Sequence, residues 1–289
     1  MRQYLSQTAP DKKGLLAVSG KDYRYMRQVL RLCAGDMLLV RLPDGTPQQM
    51  TVCKVDEATR NIVLQLCAQT EENGGQQKES LPELDVWLFQ FVAKGAKMDT
   101  IVRQATECGV STIVPVLGEF SQAHGAEKNF RSERLLRIIR EARQQSGSPV
   151  ETRILDAVSV EQAVSLWQDY CRTAECADSV ANGCGAVVKS AGGKEGSFAA
   201  VLYERTEQTV PLHTALGKLL SCGNKILRAA LAVGAEGGIS PAEIDLLCGG
   251  GFVPVHFKTN ILRCETAALY GIAALQNAIT ENDIWQCKE

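Results

Sequence analysis

Two short segments near the carboxyl end carry residue types that can do chemistry. The first is AVGAEGGISPAE, Ala232 to Glu243, where an apolar run ends in a loop holding Gly234, Gly237 and Gly238. Glycines at the end of a strand let a ligand approach the main chain, because no Cβ stands in the way; a tight turn makes the same demand. Glu236 adds a carboxylate to that loop. Ser240, Pro241 and Glu243 then supply an N-cap, a first-turn proline and the acid of a capping box, which start a helix. The second segment, FKTNILRCETAALYGIAALQNAI from Phe257 to Ile279, opens polar and becomes apolar nearly all round. It reads as a helix buried in a core or a dimer interface. Arg263, Glu265 and Thr266 stand at its entrance, where a cation and an acid either pair and cap the helix or meet a ligand. Two such clusters after successive strands point to a ligand site, since open α/β sheets bind ligands beyond the carboxyl ends of their strands.

Other chemistries lack their signatures. No G-x-G-x-x-G opens a helix after the first strand of this region and no G-x-x-x-x-G-K-[ST] occurs, which argues against a Rossmann dehydrogenase or a P-loop NTPase. G-x-S-x-G and H-E-x-x-H are also missing, and His124, His213 and His256 are far apart, so they read as structural or surface residues. Eleven cysteines form no C-x-x-C pair; Cys33, Cys53, Cys67, Cys108 and Cys264 lie in apolar runs and read as reduced core residues. The trio Cys171, Cys176 and Cys184 is spaced irregularly with no histidine nearby, so no metal site is expected.

The elements that must position the two clusters follow from periodicity. Apolar strands alternate with amphipathic helices: LDVWLFQFVA (Leu84 to Ala93), a helix over Met98 to Cys108, STIVPVL (Ser111 to Leu117), a helix over Ser132 to Gln145, and TRIL (Thr152 to Leu155). AAVLYE (Ala199 to Glu204), ILRAALAVG (Ile226 to Gly234) and VPVHF (Val253 to Phe257) complete an α/β domain. Upstream, MLLVRL, QMTVCKV and NIVLQLC alternate with turn signals such as PDGTP, the pattern of a small β-barrel. Between the two, the polar stretch Gln69 to Glu83 is a linker, which puts the domains at 1–70 and 81–289; a Gly-, Ala- and Ser-rich stretch from Cys171 to Ser197 reads as an insertion.

Charge separates the same two halves. The net charge is only −2, yet Met1 to Ala68 holds ten Lys or Arg against six Asp or Glu. A helix over about Lys21 to Cys33 would gather Met26, Val29, Leu30 and Cys33 on one arc and Lys21, Arg24, Arg27 and Arg31 on the other. That basic face suits either solvent or a phosphate backbone. The opening MRQYLSQTAPDKKG has no apolar h-region, and no stretch approaches the roughly 18 apolar residues of a membrane span, so a cytoplasmic protein is expected.

The ordered pair A-V-G-A-E-G-G-I-S and I-L-R-C-E-T-A resembles the last two motifs of the RsmE family of ribosomal RNA small-subunit methyltransferases, which act on uridine N3 and belong to the SPOUT superfamily. VAKGAKMDTIVRQATECGVSTIVPV (Val92 to Val116), EARQQSG (Glu141 to Gly147), RQYL and VLRLCAGD extend the likeness over nearly the whole chain. The resemblance implies a PUA-like or OB-like β-barrel followed by a SPOUT domain with a C-terminal trefoil knot, a homodimer with the terminal helix at its interface, and no metal. It implies that S-adenosyl-L-methionine is held by Leu202, Tyr203, Val233, Gly234, Glu236, Gly237, Gly238, Phe257, Asn260, Ile261, Leu262, Thr266 and Ala267, with Glu204 completing the wall formed by the strand end. Arg263 would stabilise charge on the base, and Glu265 would orient that arginine or accept a proton. Arg2, Lys21, Arg24, Arg27, Arg31 and Lys94 would grip 16S ribosomal RNA or the small ribosomal subunit. Alternative readings are a SPOUT enzyme acting on another RNA and a catalytically weakened RNA-binding protein of ribosome assembly. The chain departs from the family pattern at Ala235, where proline is usual, and at Lys258 and Asn260, in place of glycine and arginine. Tyr25, Cys108 and Ser148 are further departures. Lys258 is expected to narrow the cofactor pocket, and Asn260 to remove a phosphate contact.

Overall fold

In the computed structural model, residues 3–67, 84–121, 130, 132–175, 195–205, 208–220 and 225–281 are described. Arg2, His124, Cys176, Cys184, the linker and most of the Cys171 to Ser197 stretch lie outside them. The chain forms two compact units, one with a five-stranded sheet and one with an eight-stranded sheet.

The first unit holds β1 (Gln3–Leu5), β2 (Leu15–Ser19), β3 (Met37–Arg41), β4 (Pro47–Asp56) and β5 (Asn61–Leu66), in the order β1-β3-β4-β5-β2. Period-2 alternation buries Leu38, Val40, Met50, Val52, Ile62 and Leu64 on one face. The helix expected over Lys21 to Cys33 is shorter and of two kinds. An α turn over Gly20–Arg24 widens into a π turn over Tyr25–Val29, where the Leu30 N–H reaches back to the Tyr25 carbonyl at 3.0 Å. Arg31 then takes a left-handed φ of 54° and ends it. The wider turn breaks the 100° spacing, so the predicted apolar arc is corrected: Tyr23, Met26 and Leu32 are buried, whereas Val29 is 57% exposed and Cys33 is exposed. Cys53 is exposed too, outward-facing beside a β-bulge at Val52.

The second unit contains eight strands in the order β11-β13-β10-β12-β6-β7-β8, with β9 also on β7, and every pairing is parallel. They are β6 (Asp85–Phe91), β7 (Thr112–Leu117), β8 (Arg153–Ile154), β9 (Val158–Ser159), β10 (Glu195–Leu202), β11 (Val210–Pro211), β12 (Lys225–Val233) and β13 (Val253–His256). Parallel strands covered on both faces read as continuous apolar runs, as β6, β7 and β12 do. Val86, Leu88, Ala229, Leu231 and Val233 point to one face, under α2 (Ala96–Glu107), α3 (Glu133–Ser146), α5 (Leu212–Leu220) and α7 (Cys264–Thr280). Trp87, Phe89, Ala230 and Ala232 point to the other, under α4 (Val160–Glu175) and α6 (Pro241–Gly249). The stretch read as an insertion is structured at both ends, because Cys171 is buried on α4 and Ser197 is buried on β10. Helix α7 is not covered all round: Thr266, Tyr270, Ala273 and Asn277 form an exposed stripe. Among the described residues, no helix is long and apolar enough to cross a membrane.

Gly250, at the end of α6, sits against α4 so closely that a methyl group there would lie 2.4 Å from Val164 Cγ1. A branched valine has little freedom to yield. Gly250→Ala is therefore expected to cost about 1–3 kcal/mol, whereas Gly217→Ala in α5, with nothing within 4 Å, should stabilise by roughly 0.5–1 kcal/mol. Urea unfolding of the two variants should show shifts of opposite sign.

Candidate functional site

The two chemical segments and the end of β10 meet at one place. A cavity of about 190 Å³ opens at the carboxyl ends of the adjacent strands β13, β10 and β12. Of the residues expected to bind a cofactor, Leu202, Tyr203, Val233, Gly234, Gly238, Phe257, Asn260, Ile261, Leu262 and Ala267 line it. Glu236, Gly237 and Thr266 do not. Glu204, Ala235, Ile239, Val255, His256, Thr259 and Cys264 line it as well. His256, a structural or surface residue by sequence, lies on the wall with Nδ1 2.8 Å from Thr209 Oγ1, a position only the fold reveals. The expected narrowing by Lys258 does not occur: its side chain is exposed and it is absent from the lining, while its neighbours Phe257 and Thr259 form the wall. Ile261, 87% exposed, stands at the mouth.

The glycine loop is held from several sides. The Gly238 N–H donates to the Ala235 carbonyl at 3.0 Å, and Gly238 needs its glycine because φ is 78°. A Cβ at Gly234 would lie 3.0 Å from both Gly238 C and Ile239 Cγ1, and one at Gly237 would lie 2.7 Å from Phe120 Cβ. Each glycine thus has a reason within the fold, so it is the cavity and not the number of glycines that points to a ligand. Beneath the loop, the buried Gln90 Nε2 donates to the carbonyls of Phe91, Val233 and Gly234 at 2.9, 3.3 and 3.3 Å. The predicted capping box is present, with Ser240 N–H on Glu243 Oε2 at 2.8 Å and Glu243 N–H on Ser240 Oγ at 3.4 Å. The same carboxylate accepts the Glu119 N–H at 2.6 Å. Gln90, Glu119 and Phe120 carry no motif and lie more than 100 residues upstream of the loop, so sequence reasoning did not find them.

Glu236 is not part of the cavity lining and accepts from Lys97 Nζ at 2.9 Å and from the Lys94 N–H at 3.2 Å. Burial pushes its carboxyl up, but the Lys97 hydrogen bond and the main-chain N–H groups of Glu236 and Lys94 together hold it below the ordinary range. Arg263 is the exposed N-cap of α7 and makes no side-chain cap bond. Next to it, the Cys264 thiol is pushed up to about 12, by burial first and then by its bond to Glu265, and its Sγ lies 3.2 Å from Glu265 Oε2. The main-chain N–H of Glu265 does most to hold its own carboxyl low, against burial. Cys264 therefore stays a thiol at neutral pH, and Glu265 stays a carboxylate.

The remaining candidates lie on other segments. Lys94 is exposed after β6, and Lys21, Arg24 and Arg31 are exposed in the first unit. Arg27 is engaged within its own unit, donating to the Leu32 carbonyl at 2.7 Å and to Glu57 Oε1 at 2.8 Å.

A carboxyl held low stabilises the fold above its unfolded value, near 4.3, and loses that contribution as the pH falls through the folded value. For Glu236 the wild type should therefore melt above Lys97→Met at neutral pH, and the two melting curves should converge as the pH falls below the ordinary carboxylate range. A gap that does not change with pH would contradict the pairing.

The sequence profile of the RNA methyltransferase domain matches residues 79–276. The chain is 24% identical over 262 residues to ribosomal RNA small subunit methyltransferase E of Bacillus subtilis, covering 90% of this chain and 88% of that one. It is 29% identical over 228 residues to the protein of that name from Aquifex aeolicus, covering 78% and 80%. In structure it is similar to ribosomal RNA small subunit methyltransferase E of Neisseria gonorrhoeae bound to S-adenosyl methionine, with a TM-score of 0.66 at 19% identity over 96% of this chain and 97% of that one. The matched stretch runs through every strand from β6 to β13, and the chain belongs to the RNA methyltransferase domain family.

Proposed function

We propose that this chain transfers a methyl group from S-adenosyl-L-methionine to N3 of a uridine in 16S ribosomal RNA, in the cytoplasm and as a homodimer. The observation that carries this reading is the make-up of the cavity at the strand ends, in a chain of an RNA methyltransferase family. Main-chain groups of Gly234, Ala235 and Gly238 offer hydrogen-bond partners to the edge of an adenine, while Leu202, Val233, Phe257 and Leu262 offer apolar walls to its faces. At about 190 Å³ the cavity is large enough to enclose part of such a ligand, with the exposed Ile261 at its mouth. Residues 1–70 would form a PUA-like or OB-like barrel that grips RNA through Lys21, Arg24 and Arg31, and Lys94 on the methyltransferase domain, residues 81–289, would add a further cation. Segments β12 to α7 would form the trefoil knot, and the exposed stripe at Tyr270 and Ala273 would meet the second subunit.

Bound there, S-adenosyl-L-methionine supplies an electrophilic sulfonium carbon. What the chain must add is alignment of N3 and help in losing the imide proton of uracil. Arg263, exposed at the N-terminus of α7 between the lining residues Leu262 and Cys264, would meet negative charge developing on the base. Glu265, whose carboxyl is held low chiefly by its own main-chain N–H, would orient Arg263 or accept the proton.

Arg263→Ala is expected to lower transfer of radiolabelled methyl to 16S ribosomal RNA by about 100-fold or more, with S-adenosyl-L-methionine binding retained by isothermal titration. Unchanged turnover would remove Arg263 from the reaction. Mass mapping of ribosomal RNA from a strain lacking the protein should show one 3-methyluridine missing; an intact map would overturn the choice of RNA.

A further inference from the structure

Among the described residues that line the cavity, Glu204 is the one carboxylate, and no lysine or arginine lines it. Glu204 follows the end of β10, and its Oε1 and Oε2 would lie 3.3 and 3.6 Å from a Cβ on Gly238, so its carboxylate rests against the glycine loop. Among the described residues it makes no ion pair. The other nearby carboxylate of that loop, Glu236, is neutralised by Lys97 at 2.9 Å. Arg205, Lys258 and Arg263 adjoin lining residues in sequence but do not form the wall. The wall therefore presents a single negative charge to whatever occupies the cavity.

We propose that Glu204 makes this cavity select the cationic methyl donor over its neutral thioether product. The inference rests on the methyl-donor reading above and deepens it. S-adenosyl-L-methionine carries one net positive charge through its sulfonium, and S-adenosylhomocysteine, left after the methyl group departs, carries none. Both present the same adenine, ribose and amino-acid groups. Glu204 is exposed at the rim of the cavity, where a carboxylate attracts the first more than the second, while hydrogen bonds to the shared groups favour neither. Transfer thus removes the attraction that held the donor, which helps the product to leave.

The test is isothermal titration of the full chain with S-adenosyl-L-methionine, S-adenosylhomocysteine and sinefungin, whose amine restores the positive charge without a sulfonium. Glu204→Gln is expected to weaken the donor and sinefungin roughly three- to tenfold and to leave the thioether within about twofold, while Glu204→Asp keeps the wild-type ratio. The donor preference should also shrink with added salt. Equal weakening of all three ligands would overturn the proposal and place Glu204 on a shared group. No weakening in a folded Glu204→Gln protein would overturn it as well. A wild type that binds none of the three would instead remove the methyl-donor reading on which it rests.

Discussion

The carboxylate of Glu243 gathers main-chain groups that would otherwise lack partners. It takes the Ser240 N–H on one oxygen and the Glu119 N–H on the other, while its own N–H turns back to the Ser240 side chain. A buried carboxylate is costly unless its oxygens are satisfied, and here both are. The result is that the start of α6, the exit of the glycine loop and the segment after β7 keep fixed positions relative to one another. The same constraint explains Gly118, where a methyl group would lie 2.4 Å from Phe91 Cδ1 and 2.7 Å from Glu243 Oε1. One wall of the cavity inherits its place from this junction.

The other walls come from the sheet. In β6, β7 and β12 successive residues serve opposite faces, so both layers of helices are anchored to the same strands and little can shift without disturbing two cores. Rigidity of that kind puts the ends of β10, β12 and β13 side by side, and their loops have no sheet to continue into. Next to the lining residue Cys264, Arg263 is exposed and the Glu265 carboxyl is held low by its own main-chain N–H at the start of α7.

How far the sequence reveals this depends on the range of the interactions. The helix start at Ser240, Pro241 and Glu243 is readable because a capping box lies within four residues. The strands of the parallel sheet are readable because burial on both faces leaves apolar runs, and the α/β character follows from their alternation with helices. The widening at Tyr25–Val29 is not, since i→i+5 bonding leaves no distinct periodicity in five residues. Nor are Gln90 beneath the glycine loop, Phe120 against Gly237, or His256 on the cavity wall, all of which depend on contacts between distant segments. The family likeness gave most of the lining, but Glu236 and Gly237 turn out to support the loop from outside the cavity, and Lys258 leaves it unobstructed.

The order of strands in space against their order in the chain has a consequence for biogenesis. The middle of the sheet begins with β6, the earliest strand of its unit, whereas the cavity needs β10, β12, β13 and the first turn of α7, which are made last. A nascent polypeptide that has reached only residue 250 holds the glycine loop but lacks the facing wall. No small molecule seated in the finished cleft can therefore guide the earlier strands to their places during translation. That first assembly has to be driven by the two apolar layers alone.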